Sequence, residues 1–244
     1  MNLYGLIGYP LSHSFSKKYF TEKFQREGIT GSMYDLFEMK SLEGLPNLLT
    51  DNKDLRGLNV TIPYKKEVIS YLNDLDDASA ERIGAVNTIK IFKDGTTKGF
   101  NTDYYGFYQS TVEWLDRHGE ICSHFKALVL GNGGAAKAVQ VALQDLKVEY
   151  QLVSRTASDS TITYNDLNEE ILSSHKLIIN TTPLGTFPNV EGCPDIPFQW
   201  VGKQHFLYDL VYNPAETTFL KNGAANGAKT QNGLKMLELQ AEKA

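Results

Sequence analysis

The chain has 244 residues, 41% hydrophobic and 22% charged, an ordinary globular make-up with length for one large domain or two modest ones. Its 29 acidic and 24 basic side chains leave a net charge of −5, which points away from nucleic acid as a partner. The longest apolar runs, such as "ALVLG" and "LIIN", are too short to span a bilayer, so no membrane segment is expected.

In chain order, "LYGLIGYP" predicts a strand closed by a Gly-x-Pro turn. The start "MNLYGLIGYPLSHSFSKK" has no basic residues ahead of its apolar stretch and does not read as a signal peptide. "SHSFSKKYFTEKFQREG" predicts a helix with Ser at its start and Gly28 at its end. "SMYDLFEM" and "LRGLNVTIP" predict two more strands. Pro63 then stands where helices begin, because its missing N–H and fixed φ cost nothing in a first turn. The stretch "KKEVISYLNDLDDASAERIG" is expected to be mostly helical, with Lys65 and Lys66 in its first turn. "AVNTIKIFKDGTTKGFNTD" predicts a hairpin turning at Asp94-Gly95. A helix from about Tyr104 to His118 leads out of this half.

After His118 the pattern changes. "FKALVLGNGGAAKAVQVALQDL" reads as strand, glycine turn and helix. "EYQLVSRT", "KLIINTTP" and "HFLYDLVYNP" read as strands, and "TFLKNGAANGAK" starts as a helix. "NGLKMLELQAEKA" is a last helix. Strands alternating with helices imply parallel βαβ units. A domain boundary is therefore expected between residues 104 and 118. Cys122 and Cys193 have neither zinc nor redox-motif spacing, which predicts inert thiols in a reduced, cytoplasmic setting.

The glycine turn carries the first chemical signal. Gly131, Gly133 and Ala136 fall in the spacing G-x-G-x-x-A between an apolar strand and a helix. Glycines there let the backbone approach a pyrophosphate, and the helix N-terminus offers free N–H groups to it. The next strand ends at Ser154, 23 residues after Gly131, close to where this fold presents its ribose-reading side chain. An NAD site places an acid there. This chain has Ser154, Arg155 and Thr156, and a guanidinium suits a 2′-phosphate, so NADP is expected over NAD. The plainer alternative is that Arg155 is a solvated surface arginine.

The first half ends its β-like runs in small polar residues: Ser12, Ser14 and Ser16; Asn59 and Thr61; Asn87 and Thr88; Asn101, Thr102 and Asp103. Strand ends gather on one edge of a parallel sheet, where ligands bind. Hydroxyls, amides and a carboxylate together suit a polyhydroxylated ligand. Singly, each cluster reads as turn formers and helix caps.

Taken together, these residues resemble the shikimate dehydrogenase family. "SHSFS" resembles its S-x-S motif, "NVTIPYK" its N-V-T-x-P-x-K block, "GAVNT" its G-A-x-N-T block and "NTD" its N-T-D. "GNGGAAKA" resembles the family's phosphate loop and "SRT" its N-R-T. "NTTPLG", "YDLVYNP" and "NGLKMLELQA" resemble three later blocks. Nine motifs in one order across nearly the whole chain make the resemblance specific.

The resemblance implies an α/β protein with an N-terminal α/β substrate domain over residues 1–104. A Rossmann-like, doubly wound dinucleotide-binding domain over 105–230 would follow, with a helix over 231–244 packing back on the first domain. It implies reversible NADPH-dependent reduction of 3-dehydroshikimate to shikimate, in the pathway to aromatic amino acids. Ser14 and Ser16, with Tyr212, would hold the substrate carboxylate. Thr61, Asn87, Asp103 and Gln240 would hold the ring hydroxyls. Lys65 and Asp103 would be the catalytic pair. Gly131, Asn132, Gly133, Gly134 and Ala135 would cradle the pyrophosphate. Ser154, Arg155 and Thr156 would read the 2′-phosphate, and Leu210 and Gly233 would approach the nicotinamide. Monomer and homodimer both fit.

Those roles agree with the chemistry. Hydride delivery to a ketone develops charge on oxygen, so a proton donor must stand within hydrogen-bond reach. Partial burial and a helix start would ease proton loss from Lys65, while Asp103 would oppose it. Lys66, 100° round the helix, is expected to face solvent.

The chain departs from the family pattern in places. Tyr104 follows N-T-D where Gly is usual. Asp159 lies near where a second arginine often stands. Asn232 and Lys235 replace Asp and Gly in the closing block. The chain ends four residues after Gln240, where relatives continue into a further helical segment. His13 is expected to be structural or capping, and Trp114 and Trp200 are expected to be packing residues. Tyr104, Tyr105 and Tyr108 sit at helical spacing, facing a core or a cleft. Competing readings are a quinate dehydrogenase with relaxed NAD use and a shikimate-binding module without turnover. A third, a Rossmann domain behind an unrelated first half, leaves "NVTIPYK", "AVNT" and "NTD" unexplained.

Overall fold

A computed structural model describes residues 1–12, 14 and 16–244. The chain forms two compact units, Met1–Thr102 with Ala244 and Asp103–Lys243.

The first unit contains β1 (Asn2–Gly8), α1 (Ser16–Arg26), β2 (Ser32–Glu38), α2 (Leu45–Asp51), β3 (Leu55–Val60), β4 (Asp74–Leu75), β5 (Thr88–Ile91) and β6 (Thr97–Phe100). The strands form one sheet in the order β2-β1-β3-β5-β6-β4. β1 runs parallel to β2 and β3, whereas β5 runs antiparallel to β3 and β6. Ile7, Leu58, Val60, Val86 and Ile89 pack with Leu42 and Leu45 into the core. The β5–β6 hairpin turns at Gly95, whose φ of 86° is a conformation glycine adopts freely.

The helix expected after Pro63 does not form. The chain turns through residues 62–66, makes a 3₁₀ turn over Glu67–Tyr71, adds β4 to the sheet and then makes a π-helical turn over Asp77–Glu81. Asn73 explains the break. Its Oδ1 accepts from the Thr97 N–H at 2.9 Å and the Thr97 hydroxyl at 3.0 Å, and its own N–H donates back to Thr97 Oγ1. Ser79 donates to Asp76 at 2.6 Å. Such side-chain bonds compete with helix formation, and here they tie the segment to β6.

The second unit contains α3 (Thr102–Asp116), whose first residue closes the first unit, and β7 (Lys126–Leu130), α4 (Gly134–Asp145), β8 (Glu149–Ser154) and β9 (Thr161–Thr163). It continues through α5 (Glu169–Ser174), β10 (Leu177–Asn180), β11 (Phe206–Asp209), α6 (Thr218–Ala225), β12 (Lys229–Gln231) and α7 (Leu234–Lys243). The sheet order is β12-β11-β10-β7-β8-β9, parallel throughout. The chain moves outward from β7 to β9, then returns to β10 on the other side of β7. That reversal is the switch point of a doubly wound, Rossmann-type sheet.

Helices cover both faces. Ala136, Val139 and Leu143 of α4 join Phe107 and Trp114 of α3 and Met236 of α7 in one cluster. Leu172 of α5 and Phe219 and Leu220 of α6 lie in the other, with Trp200 against it. Tyr104 and Tyr108 pack on the first cluster, and the Tyr104 hydroxyl donates to Asp145 at 2.7 Å. Cys122 and Cys193 are free thiols, and burial raises both, Cys193 to about 11, which is the chemistry of unreactive cysteines. Among the described residues no helix is long and apolar enough to cross a membrane.

α7 lies against α3 within the second unit. A Cβ at Gly106 would press on the Met236 carbonyl and on Gln240, so the glycine sets how closely the two helices approach. Gly106→Val is expected to lower stability by about 2 kcal/mol through overpacking, despite the better helix propensity of residues other than glycine. Chemical denaturation checks this, and an unchanged unfolding midpoint would contradict the packing.

Candidate active site

The antiparallel arm of the first sheet gathers the polar residues. Asn59 near the end of β3 pairs with Thr88 at the start of β5, and Thr88 pairs with Phe100 at the end of β6. The clusters around residues 59, 87 and 101 therefore meet at one end of a mixed sheet. A purely parallel sheet, the basis of the sequence argument, is not required.

Around this end lie the other first-unit candidates. The Val86 N–H donates to the Lys65 carbonyl at 2.6 Å, which sets Lys65 beside Asn87. Thr61 follows β3, its N–H bonded to the Ile7 carbonyl of β1 at 3.0 Å. Lys65 is half-buried and Lys66 exposed. The contrast comes from the 62–66 turn rather than from helical spacing. The helix-start argument for Lys65 has no α-helix to rest on.

Ser14 and Ser16 sit where α1 begins, beyond the same end of β1. The Ser14 hydroxyl accepts from the Ser16 N–H at 3.2 Å, as a cap does. The start of an 11-residue helix favours an anionic group. His13, inside this motif, lies outside the described residues, as does Phe15.

The amides and hydroxyls form one hydrogen-bonded chain. The Thr102 N–H donates to Asn87 Oδ1 at 2.8 Å, and Asn87 Nδ2 donates to Thr102 Oγ1 at 3.1 Å. Thr88 donates to Asn87 Oδ1 at 3.1 Å, Asn59 Nδ2 donates to Thr88 at 3.3 Å, and Tyr34 donates to Asn59 Oδ1 at 2.8 Å. Asn101 is buried, with its Nδ2 on the Ala85 carbonyl at 3.0 Å. Tyr34 is a member that sequence reasoning misses. In the middle of β2 it reads as one more strand aromatic, and no local signal marks its partner 25 residues away.

In the second unit the candidates cluster at the C-terminal end of the parallel sheet, on either side of the switch point. Gly131 has φ 101°, and a Cβ there would meet Thr181 and Thr182 at about 3 Å. Gly133 caps α4 in an extended conformation, and no side chain caps the helix. A Cβ at Gly133 or Gly134 would meet nothing within 4 Å. The first N–H groups of α4, from Gly134 and Ala135, thus face open space, while Ala136 is fully buried against the sheet. Asn132 completes the loop between β7 and the Gly133 cap. Ser154 ends β8 and bonds both the N–H and the carbonyl of Thr156, a turn that leaves Arg155 and Thr156 exposed. Asp159 is exposed on the same loop.

The loops after β10 and β11 share one buried anchor. Asp209 Oδ1 accepts from Asn180 Nδ2 and the Val211 N–H, each at 3.0 Å, and Oδ2 accepts from Thr217 at 2.6 Å. Asn180 Oδ1 in turn accepts the N–H and hydroxyl of Thr182. Leu210 follows directly, its N–H on the Asn180 carbonyl at 3.0 Å. Any Cβ at Gly233 would run into the Leu210 carbonyl, so these two lie together. Tyr212 is 40% exposed. Asp103 stands in the first turn of α3, where a carboxylate is favourable. Gln240 touches Gly106, one helical turn along α3 from Asp103. Asn232 caps α7 and bonds the Ala215 carbonyl, a use for the residue that departs from the usual acid.

Comparison with known proteins places the chain in a family. The family model "Shikimate dehydrogenase substrate binding domain" matches residues 6–89. A Clostridium beijerinckii protein named shikimate dehydrogenase (NADP(+)) is 41% identical, over 100% of this chain and 90% of its own. The chain belongs to the shikimate dehydrogenase family. Shikimate 5-dehydrogenase from Thermus thermophilus, solved with NADP(H) and shikimate, superposes with a TM-score of 0.81 at 31% identity, covering 99% of this chain and 90% of its own. Quinate dehydrogenase from Corynebacterium glutamicum, solved with NAD, has a TM-score of 0.85 at 26% identity, covering 100% and 92%.

For a member of this dehydrogenase family, the uncapped α4 start and the open space at Gly133 and Gly134 fit a dinucleotide pyrophosphate. Asp209 adds an electrostatic signature to the same unit. It is fully buried, and burial pushes its carboxyl up to about 6 against the pull of its three hydrogen-bond donors. A raised folded value means the folded state holds the proton more tightly than the unfolded chain. The stabilising contribution is therefore complete below about pH 4 and is lost as pH rises through about 6, an effect on the order of 3 kcal/mol. Unfolding midpoints from about pH 4 to 8 should show this fall in the parent and not in Asp209→Asn. Parallel curves would contradict it.

Proposed function

We propose that this chain catalyses the reversible NADPH-dependent reduction of 3-dehydroshikimate to shikimate, on the route to aromatic amino acids. The observation that carries the reading is the polar end of the first sheet, where Thr61, Lys65 and Asn87 converge beside the Ser14 and Ser16 helix start. A cyclic acid bearing hydroxyls needs both an anion site and fixed hydroxyl readers. Ser14 and Ser16, with Tyr212, hold the carboxylate. Thr61, Asn87, Asp103 and Gln240 hold the ring hydroxyls.

NADPH, when bound, supplies the hydride to the ketone carbon. Gly131, Asn132, Gly133, Gly134 and Ala135 would hold its pyrophosphate, Ser154, Arg155 and Thr156 its 2′-phosphate, and Leu210 and Gly233 would approach the nicotinamide end. Lys65 donates a proton to the carbonyl oxygen as the C–H bond forms, and takes it back in the oxidative direction. Asp103 orients the lysine and the reacting hydroxyl.

Purified protein with shikimate and NADP should produce reduced nicotinamide, followed by its absorbance. Lys65→Ala should lower kcat by about 10²–10⁴-fold, while Lys66→Ala stays near the parent. Silence with NADP and NAD alike removes the reading, and loss with Lys66→Ala instead of Lys65→Ala removes the assignment. The NAD-bound quinate dehydrogenase neighbour and Asp159 near Arg155 favour one second reading, broader use of quinate and NAD. The same assay with quinate and NAD separates the two.

A further inference from the structure

The chain of hydrogen bonds in the first unit has a direction that can be deduced link by link. A backbone N–H can only donate, so the Asn87 atom facing the Thr102 N–H must be Oδ1. Asn87 Nδ2 then points toward Thr102 Oγ1. The Thr88 hydroxyl donates to Asn87 Oδ1, which leaves a Thr88 lone pair to accept from Asn59 Nδ2. The same Nδ2 lies 3.5 Å from the Asn87 carbonyl, another obligatory acceptor. Asn59 Oδ1 is thereby turned toward Tyr34, whose phenol is its donor at 2.8 Å.

Tyr34 is built to hold that position. It is 4% exposed and packs with Leu6 and Leu11. Phe20 stacks on its ring, with centroids 4.5 Å apart and planes 12° apart. Phe20 lies one turn after Ser16 on α1, so both residues face the tyrosine. Burial raises the phenol far above its ordinary value, so it remains a donor at every working pH.

We propose that Tyr34 is a positioning residue of the substrate site: its hydroxyl holds the Asn59 amide, which in turn holds the Thr88 hydroxyl against Asn87, the amide that reads the ligand and whose polarity the Thr102 N–H sets. The inference rests on the reading that the first unit binds shikimate. Tyr34→Phe keeps the ring and its stacking but leaves Asn59 Oδ1 without its donor. The Asn59 amide then loses its anchor at the oxygen end, and the Thr88 hydroxyl that donates to Asn87 loses a fixed partner behind it.

The test uses the full-length enzyme. Tyr34→Phe should raise KM for shikimate about 10-fold, the effect of one buried hydrogen bond, with KM for NADP unchanged and kcat within about 3-fold. In a double-mutant cycle, Tyr34→Phe added to Asn59→Ala should bring no further rise, because both cut the same chain. A merely structural role would move KM for both ligands, or add to the Asn59→Ala penalty, and would overturn the proposal. An unchanged KM for shikimate in Tyr34→Phe would also overturn it. If that variant does not fold, Thr88→Val cuts the chain one link on and decides the question by the same readings. Parent protein inactive with shikimate would instead sink the functional reading.

Discussion

The Thr102 N–H donates to the side-chain oxygen of Asn87, and the polarity of the first unit's polar site follows from that bond. Most amide side chains can turn over at little cost. This one cannot, because a backbone donor faces it. From there Thr88, Asn59 and Tyr34 take the only orientations that satisfy each neighbour. The backbone makes the chain possible. Antiparallel pairing of β3 with β5, and of β5 with β6, brings three sequence-distant polar clusters to one sheet end. A buried, fully satisfied network of this kind stiffens a site, whereas a half-satisfied one would weaken it.

The second unit solves a different problem with a similar device. A parallel sheet leaves crossing loops at its C-terminal edge, and the crevice at the switch point must keep them in fixed relation. Asp209 and Asn180 do so from inside the sheet edge, tying the loops after β10 and β11. The loop after β7 joins them through close packing of Gly131 against Thr181 and Thr182. Keeping a carboxylate buried there opposes folding near neutral pH, and its three donors offset part of that cost.

Some of this is legible in the residues. The strands β1, β2, β3, β7, β8, β10 and β11 announce themselves as short apolar runs, and the glycine turn is readable because its flanks are. The helix expected after Pro63 fails although its sequence is helix-compatible, because Asn73, Ser79 and Thr97 supply tertiary bonds that outcompete the helix. The short α2, α5, β9 and β12 carry too few residues for a period to register. Tyr34 escapes sequence reading for another reason: its partners lie on other elements, and an aromatic in a strand is expected whether or not its hydroxyl is used.

Composition, motif order and hydrophobic period thus determined the class of the protein, its two α/β halves and the residue types at each strand end, because those depend on local chemistry along the chain. The tertiary structure alone decided that the first sheet is mixed. It also decided that Lys65 is half-buried through a turn, that α7 meets α3 at a glycine, and which way the amides of Asn59 and Asn87 point. Each of these is a contact between residues far apart in sequence, and direction and burial come into being only when such partners meet.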